Sequence, residues 1–385
     1  MKQTSAIKLA VILAAACVLP ALVRAADSPA SSSFEIHMPP GIPQELWSYF
    51  IPADNPMTAA KVELGRTLFF DARLSADGKV SCASCHDPKR AFTDGKAVAE
   101  GINARRGVRN SPTLLNAMFN GGQFWDGRAA TLEEQAKLPL TNPDEMGNRS
   151  LEEVASKIAA IPEYAKAFRQ VFDGPVTIAG FGKAIAAFER TLISGDSPLD
   201  RYLAGDLNAL SDSARGGLVL FRGKARCGGC HAFNQNFNAF STFPFFTDGN
   251  YRNTGVAVKL AGFDALARRA LGASRDESGK AIAELSAHER AGELGRFVIS
   301  GNTLDIGAFR TPSLRNVALT APYFHDGSAA TLEDVVKFYT RGGVENPNRD
   351  WQLEPVALTD GEQRDLVEFL KALTSDDARR LTERR

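Results

Sequence analysis

The chain has 385 residues, 44% of them hydrophobic and 23% charged, with a formal net charge of zero. That length suits two ordinary domains with a sizeable core, and the even charge balance excludes a strongly basic nucleic-acid binder. Beyond the N-terminus no segment carries enough uninterrupted apolar residues to span a bilayer.

The N-terminus reads as a secretory signal peptide over residues 1–25. Lys2 and Lys8 precede an apolar run from Leu9 to Val23, and Val23-Arg24-Ala25 offers a cleavage site near Ala25. The expected location is therefore the periplasm. Cys17 also admits a lipoprotein reading, against which the apolar stretch continues past it. Residues 1–25 hold three basic and no acidic side chains, so the remaining chain carries 42 Lys and Arg against 45 Asp and Glu, a formal −3.

Four cysteines follow Cys17, and they read CASCH at 82–86 and CGGCH at 227–231. C-x-x-C-H is the attachment pattern of c-type haem. Cys82, Cys85, Cys227 and Cys230 form thioethers with the vinyl groups, while His86 and His231 ligate iron. An exported protein can also pair cysteines as disulfides, and C-x-x-C also serves redox and zinc sites. Two complete copies that use every remaining cysteine favour haem.

A second repeat runs on a different spacing. QFWDGRAATLEE at 123–134 returns as YFHDGSAATLED at 323–334. Upstream, Asn110-Ser111-Pro112-Thr113-Leu114 answers Arg310-Thr311-Pro312-Ser313-Leu314, and Asn116 answers Asn316. The phrases lie 200 residues apart and the haem motifs 145, so the second half holds about 55 extra residues, placed roughly at 232–305. The local signals are helical. Thr131-x-x-Glu134, Ser150-x-x-Glu153 and Thr359-x-x-Glu362 resemble capping boxes. Residues 179–193 carry apolar side chains at helical spacing, and Ser194 to Pro198 breaks that pattern. In the insertion, 233–250 is rich in Phe, Asn and Gly and reads as an aromatic loop, while 264–296 reads as a charged, solvated helix. The expected architecture is all-α: two cytochrome c-like helical domains related by internal repeat, each with one haem. They occupy 26–195 and 196–375, with a tail at 376–385.

These residues carry a resemblance. From LGRTLFFDARLSADGKVSCASCH through RNSPTLLNAMFNGGQFWDGR and NPDEMG to TPSLRNVALTAPYFHDGSAATLEDVVKFY, the chain resembles the bacterial dihaem cytochrome c peroxidases and their MauG relatives. The resemblance implies a first haem that reacts with hydrogen peroxide and a second that exchanges electrons. It makes Glu145 the acid–base residue, places Gln135 and Pro139 in the distal pocket, and makes Trp125 the aromatic between the haems. Pro139 is also expected to stop the helix begun at Thr131.

Two positions depart from the peroxidase pattern. Where many members cap the first haem with a histidine, this chain has Ile102, and it has no histidine between His86 and His231. The first haem is then expected to be open at rest. The usual methionine ligand of the second haem is missing as well, because the methionines are 1, 38, 57, 118 and 146. The family ligand position holds Tyr339, as in the MauG group, with His325 as the rival ligand. On residues alone, Leu332, Val335, Val336 and Tyr339 form one apolar helix face, which is ordinarily core. The resemblance also implies one Ca²⁺ held by Asn110, Thr320 and Pro322. His37 and His288 have no motif around them and read as surface residues.

Three functions follow. The first is an exported peroxidase that takes electrons from a small redox protein. The second is a MauG-like enzyme that spreads oxidising equivalents over both haems and oxidises a partner protein. The third is a dihaem electron carrier with no catalysis, against which Glu145 and an open first haem argue. Nothing in the sequence points to a nucleic-acid partner or fixes the oligomeric state.

Overall fold

The structure is a computed structural model, and it describes residues 34–232, 244–259, 261–273, 285 and 291–383. The expected signal peptide, most of the aromatic loop, His288 and the central part of 264–296 lie outside the described residues.

Helices dominate. They are α1 (Glu45–Tyr49), α2 (Ala59–Phe70), α3 (Cys82–Cys85), α4 (Leu132–Gln135), α5 (Leu138–Thr141), α6 (Leu151–Ala159), α7 (Pro162–Phe172), α8 (Ile178–Glu189), α9 (Pro198–Leu203), α10 (Asp212–Arg222), α11 (Phe263–Ala273), α12 (Phe297–Ser300), α13 (Leu332–Thr340), α14 (Asp360–Lys371) and α15 (Asp376–Glu383). None is long and apolar enough to cross a membrane. Among the described residues the all-α expectation is broken by a short antiparallel pair, β1 (Tyr251–Arg252) and β2 (Phe309–Arg310), in which Tyr251 faces Arg310 and Arg252 faces Phe309. It pins the insertion to the start of the second repeat phrase. Two-residue strands leave no periodicity to read.

The helix starts follow side-chain chemistry. Thr359 and Glu362 form a full capping box at α14, and Thr331 and Asp334 form another at α13. At Thr131 and Ser150 only half the expected box forms. Each hydroxyl accepts from the backbone three residues on, but the Glu134 and Glu153 carboxylates reach the N–H groups of Ala130 and Arg149, one residue earlier than a box requires.

Two helix crossings build the core. α2 packs on α8 through Gly65, where an added Cβ would lie 1.9 Å from the Ala184 carbonyl oxygen. α10 packs on α14 through Gly217, where it would lie 2.0 Å from the Asp365 carbonyl oxygen. Only glycine allows backbones to approach this closely. Beside each crossing two aromatic rings meet: Phe69 with Phe188 at 5.1 Å and 56°, and Phe221 with Phe369 at 4.9 Å and 54°. The same contacts thus recur in both halves, 152 residues apart on the first helix and 181 on the second.

The halves meet at a buried polar hub. Asn116 bonds the backbone of Ser194 in both directions, each at 2.9 Å. Asn316 donates to the Ser194 hydroxyl at 2.9 Å and accepts from Ser375 N at 3.0 Å. The Ser194 and Ser375 hydroxyls lie 2.7 Å apart. The expected boundary at Ser194 is therefore a buried junction rather than a free linker.

Candidate active site

Each C-x-x-C-H segment opens onto a cavity. The first, about 390 Å³, is walled by Cys82, Cys85 and His86 from one side and by Gln135, Pro139 and Glu145 from the other. The second, about 150 Å³, is walled by Cys227, Cys230, His231, His325 and Tyr339. Among the described residues none of these four cysteines is in a disulfide. Burial pushes Cys82, Cys85 and Cys227 up to about 12 and raises Cys230 as well, so each site favours a neutral sulfur such as a thioether over a thiolate. Among the described residues no group of three His, Cys, Asp or Glu side chains gathers as a metal site.

The two histidines are oriented alike. His86 Nδ1 lies 3.1 Å from the Phe92 carbonyl oxygen, and His231 Nδ1 lies 2.8 Å from that of Phe246. Phe92 and Phe246 share a left-handed backbone, with φ of 58° and 54°. With Nδ1–H donated to a carbonyl, Nε2 keeps its lone pair for a metal. Burial lowers the pKa of both rings, which keeps them neutral as ligation requires. Neutral sulfurs, a free Nε2 and an adjoining cavity together fit a covalent haem at each motif.

On the far wall of the first cavity, Glu145 has Oε1 held by Asn142 Nδ2 at 2.8 Å. Burial raises its pKa, against the opposing pull of the Arg128 guanidinium. Its backbone oxygen accepts from Ile102 N at 2.8 Å. Ile102 is thus a buried support for the Glu145 segment and not part of the cavity wall. Pro139 does not itself stop the helix begun at Thr131, since α4 ends at Gln135, four residues earlier. It sits in the first turn of α5, where a missing N–H costs nothing.

In the second half the helix from Thr331 runs unbroken to Thr340, and Tyr339 lines the cavity from its last turn. Its hydroxyl makes no hydrogen bond among the described residues, and burial raises its pKa. His325 is otherwise engaged. Its Nε2 lies 3.2 Å from Glu293 Oε2, and its ring stacks on Phe309 at 3.6 Å and 12°. Glu293 in turn pairs with Arg109.

Trp125 borders both cavities. Its Nε1 donates to the Asn110 carbonyl oxygen at 2.9 Å, and its own carbonyl oxygen accepts from Arg310 N at 2.8 Å. Asn110 and Arg310 are matching positions of the repeat. Of the expected calcium set, Asn110 Nδ2 donates to the Lys96 carbonyl oxygen at 2.9 Å, which leaves Oδ1 available. Asn110 N donates to the His325 carbonyl oxygen at 2.9 Å, which brings the 320–325 segment alongside. The backbone oxygens of Thr320 and Pro322 accept no hydrogen bond among the described residues.

Sequence reasoning missed two residues and one relationship here. Pro139 and Tyr339 are counterparts, a fact available by carrying the 200-residue register five residues further. Glu189, in α8, borders the first cavity with Oε2 lacking a partner among the described residues, and burial pushes it up to about 8. Arg310 borders both cavities, and only its place in the repeat phrase marked it.

Paired cavities walled by C-x-x-C-H, one with a carboxylate opposite and one with a phenol, define a c-type dihaem redox protein. Residues 59–208 match the family described as di-haem cytochrome c peroxidase. The chain is 38% identical to the methylamine utilization protein MauG of Methylorubrum extorquens over 329 residues, 85% of this chain and 82% of that one. It is 39% identical to the cytochrome-c peroxidase IdrP1 of Denitromonas iodatirespirans over 331 residues, 84% of each chain. Among solved structures, a MauG-like protein associated with microbial copper homeostasis superposes with a TM-score of 0.69 at 34% identity, covering 85% of this chain and 93% of that one. The diheme peroxidase BthA of Burkholderia thailandensis gives 0.63 at 28% identity, covering 84% and 87%. The chain belongs to the di-haem cytochrome c peroxidase family, and with it to the oxidoreductases that carry two haem c groups.

Proposed function

We propose that this chain is an exported, periplasmic enzyme of two repeated haem domains that reacts with hydrogen peroxide in the first cavity and exchanges electrons through the second. The observation that carries the proposal is the contrast between the two far walls: Pro139 with Glu145 in the first, Tyr339 in the second. A haem held by Cys82, Cys85 and His86 would supply an iron with an open position, the chemistry on which peroxide reduction depends. Proline offers no ligand and leaves room for peroxide. Asn142 fixes Glu145 Oε1, so Oε2 is the atom that takes a proton from one peroxide oxygen and returns it to the departing one. Gln135 lies on the same wall to orient the bound oxygens. The balance is one peroxide, two electrons and two protons giving two waters.

In the second cavity Cys227, Cys230 and His231 would hold the haem, and the Tyr339 hydroxyl would supply an oxygen donor to its iron. His325 serves that site from its bond to Glu293 and does not ligate. A phenolate stabilises oxidised iron and lowers its potential. This favours a second reading, in which oxidising equivalents are kept on the protein and passed to a residue of a partner protein instead of being quenched by a small redox donor. Trp125, bordering both cavities, is the route between them in either reading. Ca²⁺ held by Asn110 Oδ1 and the Thr320 and Pro322 carbonyls would brace the junction, with oxygen donors of the kind that ion takes.

The test is to add hydrogen peroxide to the oxidised, as-isolated protein and follow optical and EPR spectra. An immediate reaction is expected, because Ile102 leaves the first site uncapped. A protein that stays inert until half-reduced is a conventional peroxidase with a capped site, and one inert in every state is an electron carrier.

A further inference from the structure

Arg310 is a buried cation without a counter-ion. It is 7% exposed, and among the described residues no carboxylate pairs with it. Its Nη1 donates to Asn120 Oδ1 at 2.8 Å, and its Nε lies 3.5 Å from the Phe124 carbonyl oxygen, at the limit of a hydrogen bond. A guanidinium has five N–H donors in a fixed fork. Those not engaged by Asn120 and Phe124 open onto the cavities that Arg310 borders. Burial pushes its pKa down to about 10, with only Tyr251 opposing, so it is still charged at neutral pH.

A buried, charged group left unpaired costs several kcal/mol, and proteins retain such groups where a ligand completes the pair. The other buried arginines show the difference. Arg315 is paired with Asp200, and Arg190 with Glu133. Arg252, which also borders the second cavity, is paired with Asp248 and Asp350. Of these four only Arg310 has no carboxylate partner among the described residues, and its donors beyond those to Asn120 and Phe124 are unengaged. Its counterpart in the first copy is Asn110, so the charge was placed on one side of the junction only.

We propose that Arg310 is the counter-ion of a haem propionate at the junction of the two cavities, bound in the fork geometry that suits a carboxylate. This rests on the assignment of haem to both cavities. The backbone of Arg310 lies in the strand pair beside the second cavity, but its guanidinium ends at Asn120, which borders the first cavity only. The propionate is therefore that of the first haem, and the second half of the chain supplies a residue that holds the cofactor of the first. Because Arg310 N also holds the Trp125 carbonyl, one residue ties the first haem edge to the aromatic between the haems.

The experiment compares wild type with Arg310→Gln and Arg310→Lys, all matured with haem. Mass spectrometry comes first: a wild type without two haem additions overturns the haem assignment and not this pairing. Spectroelectrochemistry and resonance Raman then read the pairing. In R310Q the midpoint potential of the high-spin haem should fall, because a positive charge that stabilised the reduced state is gone, and the propionate-bending bands should shift. R310K should hold the potential nearer to wild type yet still shift those bands, since an ammonium has no fork. A change confined to the low-spin haem moves the propionate to the second haem and overturns the assignment to the first. Unchanged potentials and bands in whichever variant carries both haems overturn the pairing altogether. Wild type alone gives a further reading: a propionate paired with a buried guanidinium keeps its bands fixed across about pH 5–8, and bands that titrate there overturn the proposal.

Discussion

Pro139 and Tyr339 occupy the same place in the two copies of the repeat, each eight residues after the threonine that caps its helix, Thr131 and Thr331. Both face the cavity of their own half. One lies in the first turn of α5 and offers no side-chain donor or acceptor. The other sits on an unbroken helix and presents a hydroxyl with no hydrogen-bond partner among the described residues. The residue at this one place thus separates a wall that can neither donate nor accept from a wall that presents a phenol.

Tyr339→His should retain both haems and raise the potential of the second, because a neutral imidazole replaces an anionic oxygen. EPR of the oxidised protein should show the low-spin signal move, while the high-spin signal stays. An unmoved low-spin signal removes Tyr339 from the ligand set.

Glu145→Gln should keep both haems and the cavity shape while slowing peroxide turnover by about 10²–10⁴-fold, the usual worth of a positioned acid–base group. The Asn142 contact at Oε1 survives the change, so the loss reports the proton at Oε2. Stopped-flow absorbance at equal haem content is the measurement. Near-normal turnover would pass the role to another group, with Glu189 next in line.

Gly217→Ala should destabilise the fold by about 1–3 kcal/mol or more, since the new methyl would lie 2.0 Å from the Asp365 carbonyl oxygen. Gly65→Ala should cost a similar amount at the matching crossing. Thermal unfolding followed by circular dichroism reads both, and a Tm equal to wild type would mean that the crossings can open without cost.

Much of this was legible in the sequence. The C-x-x-C-H motifs are local and chemically specific, and α8 and the Thr359 box followed from spacing alone. Residues fixed by distant backbone were not. The Phe92 and Phe246 carbonyls that orient the histidines carry no side-chain signature. The glycine crossings depend on helices more than a hundred residues apart. The β1–β2 pair is too short to show alternation. Ile102 shows in the sequence only as a position without a histidine, and its part in supporting Glu145 runs through a main-chain bond that no residue type announces.

Asp200→Asn should cost about 3–5 kcal/mol, because it leaves Arg315 buried beside a neutral amide. Both side chains of this pair are under 5% exposed, with Arg315 Nη1 2.7 Å from Asp200 Oδ2. Burial alone would raise the Asp200 pKa, but the Arg315 bonds outweigh it and hold the carboxyl below its ordinary 3.8. A depressed carboxylate contributes stability in full above its unfolded value and loses it as pH falls through the folded one. The pair should therefore hold at pH 5 and above, about one unit clear of 3.8, and fail in stronger acid. Urea titrations of wild type and variant at pH 7 and pH 3 should differ widely at the first and converge towards the second.

The hydroxyl pair of Ser194 and Ser375 bears on cooperativity. Asn116 closes on the main chain of Ser194 and Asn316 on its hydroxyl, so a single buried residue completes the polar bonding of both halves. Melting either half strands the asparagine of the other away from water and from its partner. Denaturation of the whole chain is then expected as one transition, with the halves sharing a common free energy. Ser194→Ala removes the hydroxyl and adds no atom. It should split that transition in two, and the gap between the steps would measure the coupling that one oxygen atom provides.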